Sequence, residues 1–184
     1  GVLTMYKNIR KIATSTIAIS LLMGPVYFTV ESGKANAETV KVVDEEMKQR
    51  EKIGNALIES IEENKTSFKD PNEAEILKSK AKQYRDGVAE RGKATIAAKA
   101  GAKSIKAVVN KVGQKAWDNI VKQVEKRTGT QLVVLHYQSI NKFCDYLTGF
   151  EGKLFDGITE YLVQNGFNRQ IAGVIARVFI GVVL

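Results

Sequence analysis

Apolar side chains recur at intervals of three and four residues along most of this chain, which is the spacing of one face of an α-helix. Prolines, which interrupt helices, occur only at positions 25 and 71. The pattern predicts an all-α protein, a multi-helix bundle of about six or seven helices that ends in a hydrophobic helical hairpin. Residues 132–147 continue the helical period and predict a further helix, although the run Leu132–Leu135 is also compatible with a β-strand.

Glycines, caps and turn residues divide the pattern into separate helices. Asp70 and Pro71 form a helix start, with the aspartate as N-cap and the proline at the first helical position. The segment before Gly113 is rich in alanine and lysine and has only a thin apolar stripe. The predicted helices before the C-terminal region cover about Val42–Lys65, Pro71–Arg91, Lys93–Val112 and a short amphipathic stretch that ends before the break Thr128–Thr130.

The C-terminal region is predicted to contain an amphipathic helix, from about Phe150, and an apolar helix, joined by the turn Asn165–Gly166; such a short connection makes them neighbours in a hairpin. The second helix, with Asn168 as its N-cap, extends roughly 26 Å, slightly less than the ~30 Å hydrocarbon core of a bilayer. A helix that is apolar on nearly all sides is either a buried core element or a membrane-inserting one. Its narrow stripe of polar or small residues comprises Gln170, Gly173, Arg177 and Gly181.

The N-terminal segment has the order of a secretory signal peptide. A basic region with Lys7, Arg10 and Lys11 precedes the apolar run Ile12–Val30, and the small-residue site Ala35–Ala37 follows. We therefore expect residues 1–37 to be a signal peptide that signal peptidase cleaves after Ala37, so that the protein is secreted. Residues 1–4, which precede Met5, are expected to contribute nothing to the fold. An uncleaved membrane anchor is the alternative. Residues 38–184 have the length of a single helical domain.

Charge is unevenly distributed along the predicted mature chain. Residues 38–75 contain 6 Lys+Arg against 11 Asp+Glu, residues 76–127 contain 14 against 4, and residues 128–184 contain 4 against 4. The acidic and basic segments are expected to fold against each other, unless the charges simply lie on solvated faces. Residues 38–127 thus form a charged, pro-like covering region, and residues 128–184 form a hydrophobic region that is the candidate active part.

Catalytic chemistry has little support in the sequence. His136 has no second histidine as a partner, and its inward position on a predicted helix favours a hydrogen-bonded core histidine over a catalytic one. The single Cys144 lies outside any recognised nucleophile motif and is expected to be a buried thiol rather than an intermolecular bridge. The pairs Glu45/Glu46 and Glu62/Glu63 are interpreted as solvated surface. We expect no enzymatic activity, no metal site and no cofactor.

The lysine-rich stretch Lys93–Lys126 has the charge to bind a polyanion. Base-stacking aromatic residues do not alternate with its lysines, which makes nucleic acid an unlikely partner. For an exported protein, anionic lipid, a teichoic-acid-like polymer or the chain's own acidic segment is the better counterpart.

The signal peptide, the helical middle and the C-terminal segment together resemble secreted bacteriocin precursors of Gram-positive bacteria, of the enterocin V and streptococcin type. The resemblance is concentrated in Asp145–Leu184, which reads DYLTGFEGKLFDGITEYLVQNGFNRQIAGVIARVFIGVVL. It implies an antimicrobial protein whose C-terminal part becomes active after cleavage by an extracellular protease, and it leaves open a cognate immunity protein as a further partner. The active segment of the enterocin V type contains a disulfide, a feature that the single Cys144 cannot supply within this chain.

These patterns suggest a mechanism. Helices between Val42 and Val124 cover the hairpin Phe150–Leu184, and proteolysis removes the cover so that the hairpin acts on the membrane or envelope of a target cell. The predicted processing residues are Ala37, Arg91 and Arg127. A fragment from Gly92 has a net charge of +7 and one from Trp117 has +1. The predicted membrane-active residues are Trp117, Phe150, Leu154, Phe155, Ile158, Leu162, Phe167, Ile171, Val174, Ile175, Val178, Phe179 and Val182.

An alternative is a secreted helical binding or host-interaction protein with no membrane activity, in which the apolar hairpin is only the core. Such a protein is expected to resist nicking by proteases and to kill no cells.

Overall fold

The computed structural model describes residues 35–88, 93 and 95–184, with side chains from residue 41 onward. Across these residues it contains seven α-helices and, apart from one isolated bridge, no β-structure, which confirms the predicted all-α class. The helices are α1 (Ala35–Asn64), α2 (Pro71–Arg85), α3 (Ala98–Val112), α4 (Gln114–Thr128), α5 (Tyr137–Gly149), α6 (Leu154–Gln164) and α7 (Arg169–Val178).

Single turns of other helix types follow or precede several of these helices. Short 3₁₀ turns follow α1 at Lys65–Ser67 and precede α5 at Val133–Leu135. The second of these corrects both predictions for that segment, because it is neither a β-strand nor the start of a regular α-helix. Phe179–Val183 continues α7 as one π-helical turn, which we call the terminal π turn.

Helix ends differ from the predicted ones where the backbone turns. Helix α2 ends at Arg85 rather than near Arg91, because Gly87 has the left-handed φ of 75° that ends a helix. Helix α3 begins at Ala98 rather than Lys93, because Ala97 is extended and pairs with Lys153 in the isolated antiparallel bridge. The same pairing delays the start of α6, which begins at Leu154 instead of near Phe150. The predicted helix end at Gly92 lies outside the described residues.

The chain divides by internal packing into two units, residues 1–46 and residues 47–184. Of the first unit the structure describes only residues 35–46, which are helical. The signal-peptide prediction therefore falls mainly outside the described residues, and Ala37 is represented only by its helical backbone. The second unit contains the rest of α1 and all of the other helices.

Helix α3 occupies the centre of the second unit, where it packs against α2, α4, α5, α6 and the terminal π turn. Its inward face is built from small residues around Ile105, and this lets neighbouring helices approach closely. The closest approach is at Gly101, where an added Cβ would lie only 2.4 Å from the Leu154 side chain. The thin apolar stripe predicted for this segment is thus sufficient for a central helix.

Candidate functional site

The candidate site is the C-terminal hairpin formed by α6, α7 and the terminal π turn. Helices α6 and α7 pack against each other, as predicted, and the turn between them uses Gly166 at a φ of 92°. The side chain of Asn168 caps α7 by accepting a hydrogen bond of 2.8 Å from the amide of Ile171. This local chemistry follows the sequence prediction closely.

The apolar residues of the hairpin are stored inside the fold. Among the predicted membrane-active residues of α6, Leu154, Ile158 and Leu162 are completely or almost completely buried. In α7 and the terminal π turn, Ile175 is 7% exposed and Phe179 is 4% exposed. Val182 is also buried, and the partly buried members of the predicted set are Phe150, Phe155, Phe167, Val174 and Val178. In this state the hairpin presents little apolar surface to solvent.

Ile171 is the exception among the predicted membrane-active residues, because its side chain is 37% exposed. It lies on the first turn of α7 and faces away from the core. Trp117 belongs to a different part of the fold. It is buried on α4, and its indole nitrogen donates a 2.7 Å hydrogen bond to the carbonyl of Leu135 in the connection before α5. The structure therefore separates Trp117 from the hairpin set.

An aromatic cluster joins the hairpin to α5. The ring of Phe143 lies 5.1 Å from that of Tyr161 on α6 and 5.4 Å from that of Phe179 in the terminal π turn. Tyr146 continues the cluster, with its ring 5.1 Å from Tyr161 and 5.9 Å from Phe150. These tilted pairs have the geometry that favours aromatic contacts beyond simple burial. Tyr161 is not among the residues predicted for the site, although its spacing from Ile158 and Leu162 places it on the same helix face.

Helix α2 covers the terminal π turn. Leu77 and Tyr84 are buried one above the other on α2, and the small Ala74 and Ala81 complete that face. At the same contact, Lys80 Nζ donates a hydrogen bond of 3.1 Å to the carbonyl oxygen of Leu184. Burial raises the pKa of the Tyr84 hydroxyl to about 12, so this side chain is neutral in the contact. The spacing of these four residues in the sequence, at intervals of three, four and three, is the signal that identifies this face.

The predicted polar stripe of the last helix is divided by the packing. Gln170 is exposed, but Gly173 is buried, and a Cβ added to it would lie 3.8 Å from the Phe155 ring. Arg177 is half-buried, and its guanidinium carbon lies 5.9 Å from the centre of the same ring, a cation–π arrangement. The stripe is therefore not one continuous exposed surface, because α6 packs across its middle.

Ion pairs link the acidic and basic segments, as the charge pattern predicted. Arg127 on α4 pairs with Glu59 at 3.1 Å and Glu63 at 2.6 Å on α1. Its guanidinium also donates a 2.8 Å hydrogen bond to the buried hydroxyl of Ser60. Arg127 was expected to face water at a cleavage point, but it is only 28% exposed and its side chain connects α4 to α1.

Other pairs between the two segments involve Glu62 and Glu73. The Glu62 carboxylate accepts hydrogen bonds from Lys65 and Lys78, and these lower its pKa to about 2. Glu73, whose side chain is buried, pairs with Lys111 at 3.2 Å. Glu62 and Glu63 are partly exposed, as predicted, but their carboxylates make specific ion pairs and are not merely solvated.

His136 is hydrogen-bonded, as predicted, but it does not lie at an inward helix position. It precedes α5 as the N-cap residue and is half-buried, with Nε2 3.0 Å from the carboxylate of Glu125. Cys144 is fully buried, which confirms the expected burial of its thiol, and this burial raises the pKa of the thiol to about 11. Among the residues the structure describes, no three His, Cys, Asp or Glu side chains are grouped to hold a metal ion.

Of the predicted processing residues, Arg91 lies outside the described residues. No protein-family model matches the chain, and comparison with curated proteins and with solved structures gives no match. Within residues 35–88, 93 and 95–184, no helix has both the length and the apolar character required to cross a membrane.

Proposed function

We propose that this chain is a secreted antimicrobial protein, a bacteriocin precursor whose C-terminal hairpin is stored in the fold and acts on the membrane or envelope of target cells after extracellular proteolysis. The observation that carries the proposal is the burial of the hairpin's apolar residues beneath helices that precede it in the chain. Removal of those helices leaves the apolar faces of Ile175, Phe179 and Val182 without their cover, and a lipid surface is one environment that buries them again.

Helix α2 is the part of the cover that proteolysis removes most directly. It packs on the terminal π turn, while α3 packs on α5 and α6 as well as on that turn and is joined to the start of α6 by backbone hydrogen bonds. These bonds run from the amide of Ala98 to the carbonyl of Gly152 at 2.9 Å and from the amide of Leu154 to the carbonyl of Ile96 at 2.8 Å. A cut between α2 and α3, at Arg91, therefore removes α1 and α2 and keeps α3 with the hairpin.

A cut after Arg127 is less favourable. This residue lies inside α4, and its side chain is held by Glu59, Glu63 and Ser60. Proteases cleave most readily where the backbone opens locally, and each of these contacts opposes opening. Cleavage at Arg91 also yields the more basic fragment, Gly92–Leu184, with a net charge of +7. Each basic residue near an anionic surface contributes on the order of 1 kcal/mol to binding.

Dye release from anionic liposomes tests the proposal. The protein used is Glu38–Leu184, which contains the whole compact unit 47–184. It is compared intact, after limited trypsin treatment, and as the defined fragment Gly92–Leu184. Leakage that appears only after nicking, or with the fragment, supports a latent membrane-active protein. Leakage by the intact protein contradicts the storage step, and leakage in none of the three samples contradicts direct membrane action.

The structure also selects the variant that tests membrane insertion. Aspartate at Ile175 or Phe179 places a charge in the core and unfolds the precursor, because both side chains are buried. Ile171 is partly exposed, so Ile171→Asp leaves the precursor folded. We expect this variant to release at least tenfold less dye after nicking. The matched control is Val133→Asp, which changes an apolar side chain that is 61% exposed outside the hairpin. Equal loss of dye release in both variants contradicts insertion through the hairpin.

A secreted helical binding or host-interaction protein is the second candidate. Its support is that Leu154, Ile158 and Leu162 pack as an ordinary protein core. This candidate predicts a protein that remains intact under the trypsin treatment and neither releases dye nor inhibits bacterial growth.

A further inference from the structure

Helix α4 has four distinct faces, and three of them are used inside the fold. The apolar face, centred on Trp117, Ile120 and Val124, is buried in the core. A second face contacts α1 through Arg127 and through Asn119, whose amide nitrogen lies 3.1 Å from the Asn64 side-chain oxygen. These two faces account for the amphipathic character of α4.

The third face holds the connection between α4 and α5 through its two carboxylates. Asp118 accepts a 2.7 Å hydrogen bond from the amide of Tyr137. Glu125 accepts one of 2.6 Å from the amide of Leu132 and also lies 3.0 Å from His136 Nε2. Both acidic side chains of α4 are therefore directed toward the backbone of this connection and away from the fourth face.

The fourth face is a line of lysines opposite the buried face. Lys115, Lys122 and Lys126 are separated by seven and four residues, so they project from the same side of the helix. We call these three residues the α4 lysine stripe; it extends about 16 Å along the helix axis at ~1.5 Å per residue. All three side chains are exposed, and none makes an ion pair or hydrogen bond with the residues that the structure describes.

Two further lysines lie near the two ends of α4. At the start of α4, a Cβ added to Gly113 would lie 3.1 Å from the Cβ of Lys69, which places this exposed lysine beside the first turn. At the end of α4, Lys52 Nζ donates a 3.4 Å hydrogen bond to the carbonyl of Thr128. Positive charge thus continues beyond both ends of the helix.

The arrangement is not explained by the stability of α4. Lys115 lies in the first turn, where the helix dipole makes positive charge unfavourable, and that turn contains no acidic residue. Other basic residues of the same segment are neutralised inside the fold, since Lys106 pairs with Asp145 and Lys111 pairs with Glu73. The lysines of the stripe are not neutralised in this way and are available for an external anion.

We propose that the α4 lysine stripe, with Lys69 and Lys52 at its ends, binds a linear phosphodiester polyanion of the teichoic-acid type at the bacterial surface. A single row of charges fits a linear polymer better than a planar lipid surface. The apolar side of α4 is buried, so this helix has no hydrophobic face with which to enter a bilayer. Trp117, the aromatic residue of α4, is also buried, so its ring is not accessible for stacking with a nucleic-acid base.

This inference rests on the predicted export of the protein but not on the membrane step of the proposed function. Polymer binding is therefore expected whether or not nicked protein releases dye from liposomes. Because binding is electrostatic, it is expected to weaken steeply as salt increases, with the loss of each lysine contact lowering the log–log slope by about 0.7.

The test measures binding of Glu38–Leu184 to fluorescently labelled, lipid-free poly(glycerol phosphate) by anisotropy at several salt concentrations. The triple variant K115Q/K122Q/K126Q is expected to bind at least tenfold more weakly and to show a salt slope lower by about 2. The matched control, K99Q/K103Q/K142Q, removes three exposed lysines from α3 and α5 and thus makes the same change in net charge. It is expected to retain binding within about threefold.

Competition with phosphatidylglycerol vesicles and with duplex DNA completes the experiment, and far-UV circular dichroism verifies that both variants are folded. The stripe is supported if the polymer is preferred and only the K115Q/K122Q/K126Q variant loses affinity. Equal losses of polymer affinity in the two variants would show that binding depends only on the overall net charge, and this result overturns the proposed site. Preference for vesicles or DNA, or absence of polymer binding at low salt, overturns the proposed partner.

Discussion

Helix α1 and the C-terminal helices are attached to the fold by different forces. Residues 47–64 of α1 bury few apolar side chains completely, chiefly Ala56 and Ile61, and surround them with ion pairs and amide contacts. The C-terminal helices are joined by the aromatic cluster around Phe143 and by closely packed aliphatic residues of α3 and α6. Apolar burial contributes more to stability than partly exposed ion pairs, which typically contribute about 0–1 kcal/mol each.

The difference indicates the order in which the fold opens. Local unfolding is expected to begin at α1, where contacts are polar and partly solvated, and to reach the aromatic cluster last. A protein that stores an apolar hairpin beneath removable helices requires this order of unfolding, because the covering helices must detach while the hairpin is still folded. Substitutions in the two regions test this order of unfolding.

The largest effect is expected from Phe143→Ala. The ring is completely buried and contacts both Tyr161 and Phe179, so its removal leaves a cavity between α5, α6 and the terminal π turn. The free energy of unfolding should fall by about 3–5 kcal/mol, measured by urea denaturation. The exposed Val133→Ala serves as the control and should change stability by less than about 0.5 kcal/mol. Similar losses in the two variants would show that the cluster is not a principal source of stability.

Gly101→Ala tests the close approach of α3 to α6. The added methyl group would lie 2.4 Å from the buried Leu154 side chain, which must move. We expect a loss of about 1–3 kcal/mol in the free energy of unfolding. The matched control is Gly149→Ala, where an added Cβ meets no atom of the described structure within 4 Å and which should be neutral or slightly stabilising. An unchanged stability for Gly101→Ala would contradict this packing.

Arg127→Met tests whether α1 can open while the C-terminal core stays folded. It removes the ion pairs with Glu59 and Glu63 and should lower stability by about 1–2 kcal/mol. Amide hydrogen exchange in residues 47–64 should become faster. Alkylation of the buried Cys144 thiol, whose pKa is raised to about 11, should remain slow because the C-terminal core stays closed.

The control for this variant is Arg169→Met, which breaks the exposed pair with Glu160 on the hairpin surface. It should cost less than about 0.5 kcal/mol and leave exchange in α1 unaltered. Fast labelling of Cys144 in Arg127→Met would mean that the two regions open together, and the comparison would fail.

The smallest effect is a pH dependence from Glu62. Hydrogen bonds from Lys65 and Lys78 lower the pKa of this carboxyl to about 2 in the folded state, below its ordinary value of 4.5. Its contribution to stability is therefore fully present above the ordinary pKa and is lost as pH falls toward 2. Stability measured between pH 5 and pH 2 should decline less steeply in Glu62→Gln than in the unaltered protein. Identical profiles of stability against pH in the two proteins would show that the Glu62 carboxylate does not contribute to stability.

Local features of the fold were readable from the sequence. The cap at Asn168, the start of α2 at Asp70 and Pro71 and the turn before α7 depend on residues within about four positions of each other. Helical periodicity identified the C-terminal hairpin and most of its buried face for the same reason. The predicted helix boundaries are wrong where residues far apart in sequence pair with each other. The pairing of Ala97 with Lys153, for example, shifts the starts of α3 and α6.

The partners of each helix were decided only by the tertiary structure. The alanine-rich segment became the central helix because small side chains permit close packing, a property that hydrophobicity counts do not measure. The side chain of Arg127 turned toward α1, and α2 covered the terminal π turn, because side chains far apart in sequence are complementary in shape and charge. The sequence by itself thus determined which segments are helices and which faces are apolar, since these are local properties. It did not determine which helix covers the hairpin, because that depends on long-range packing.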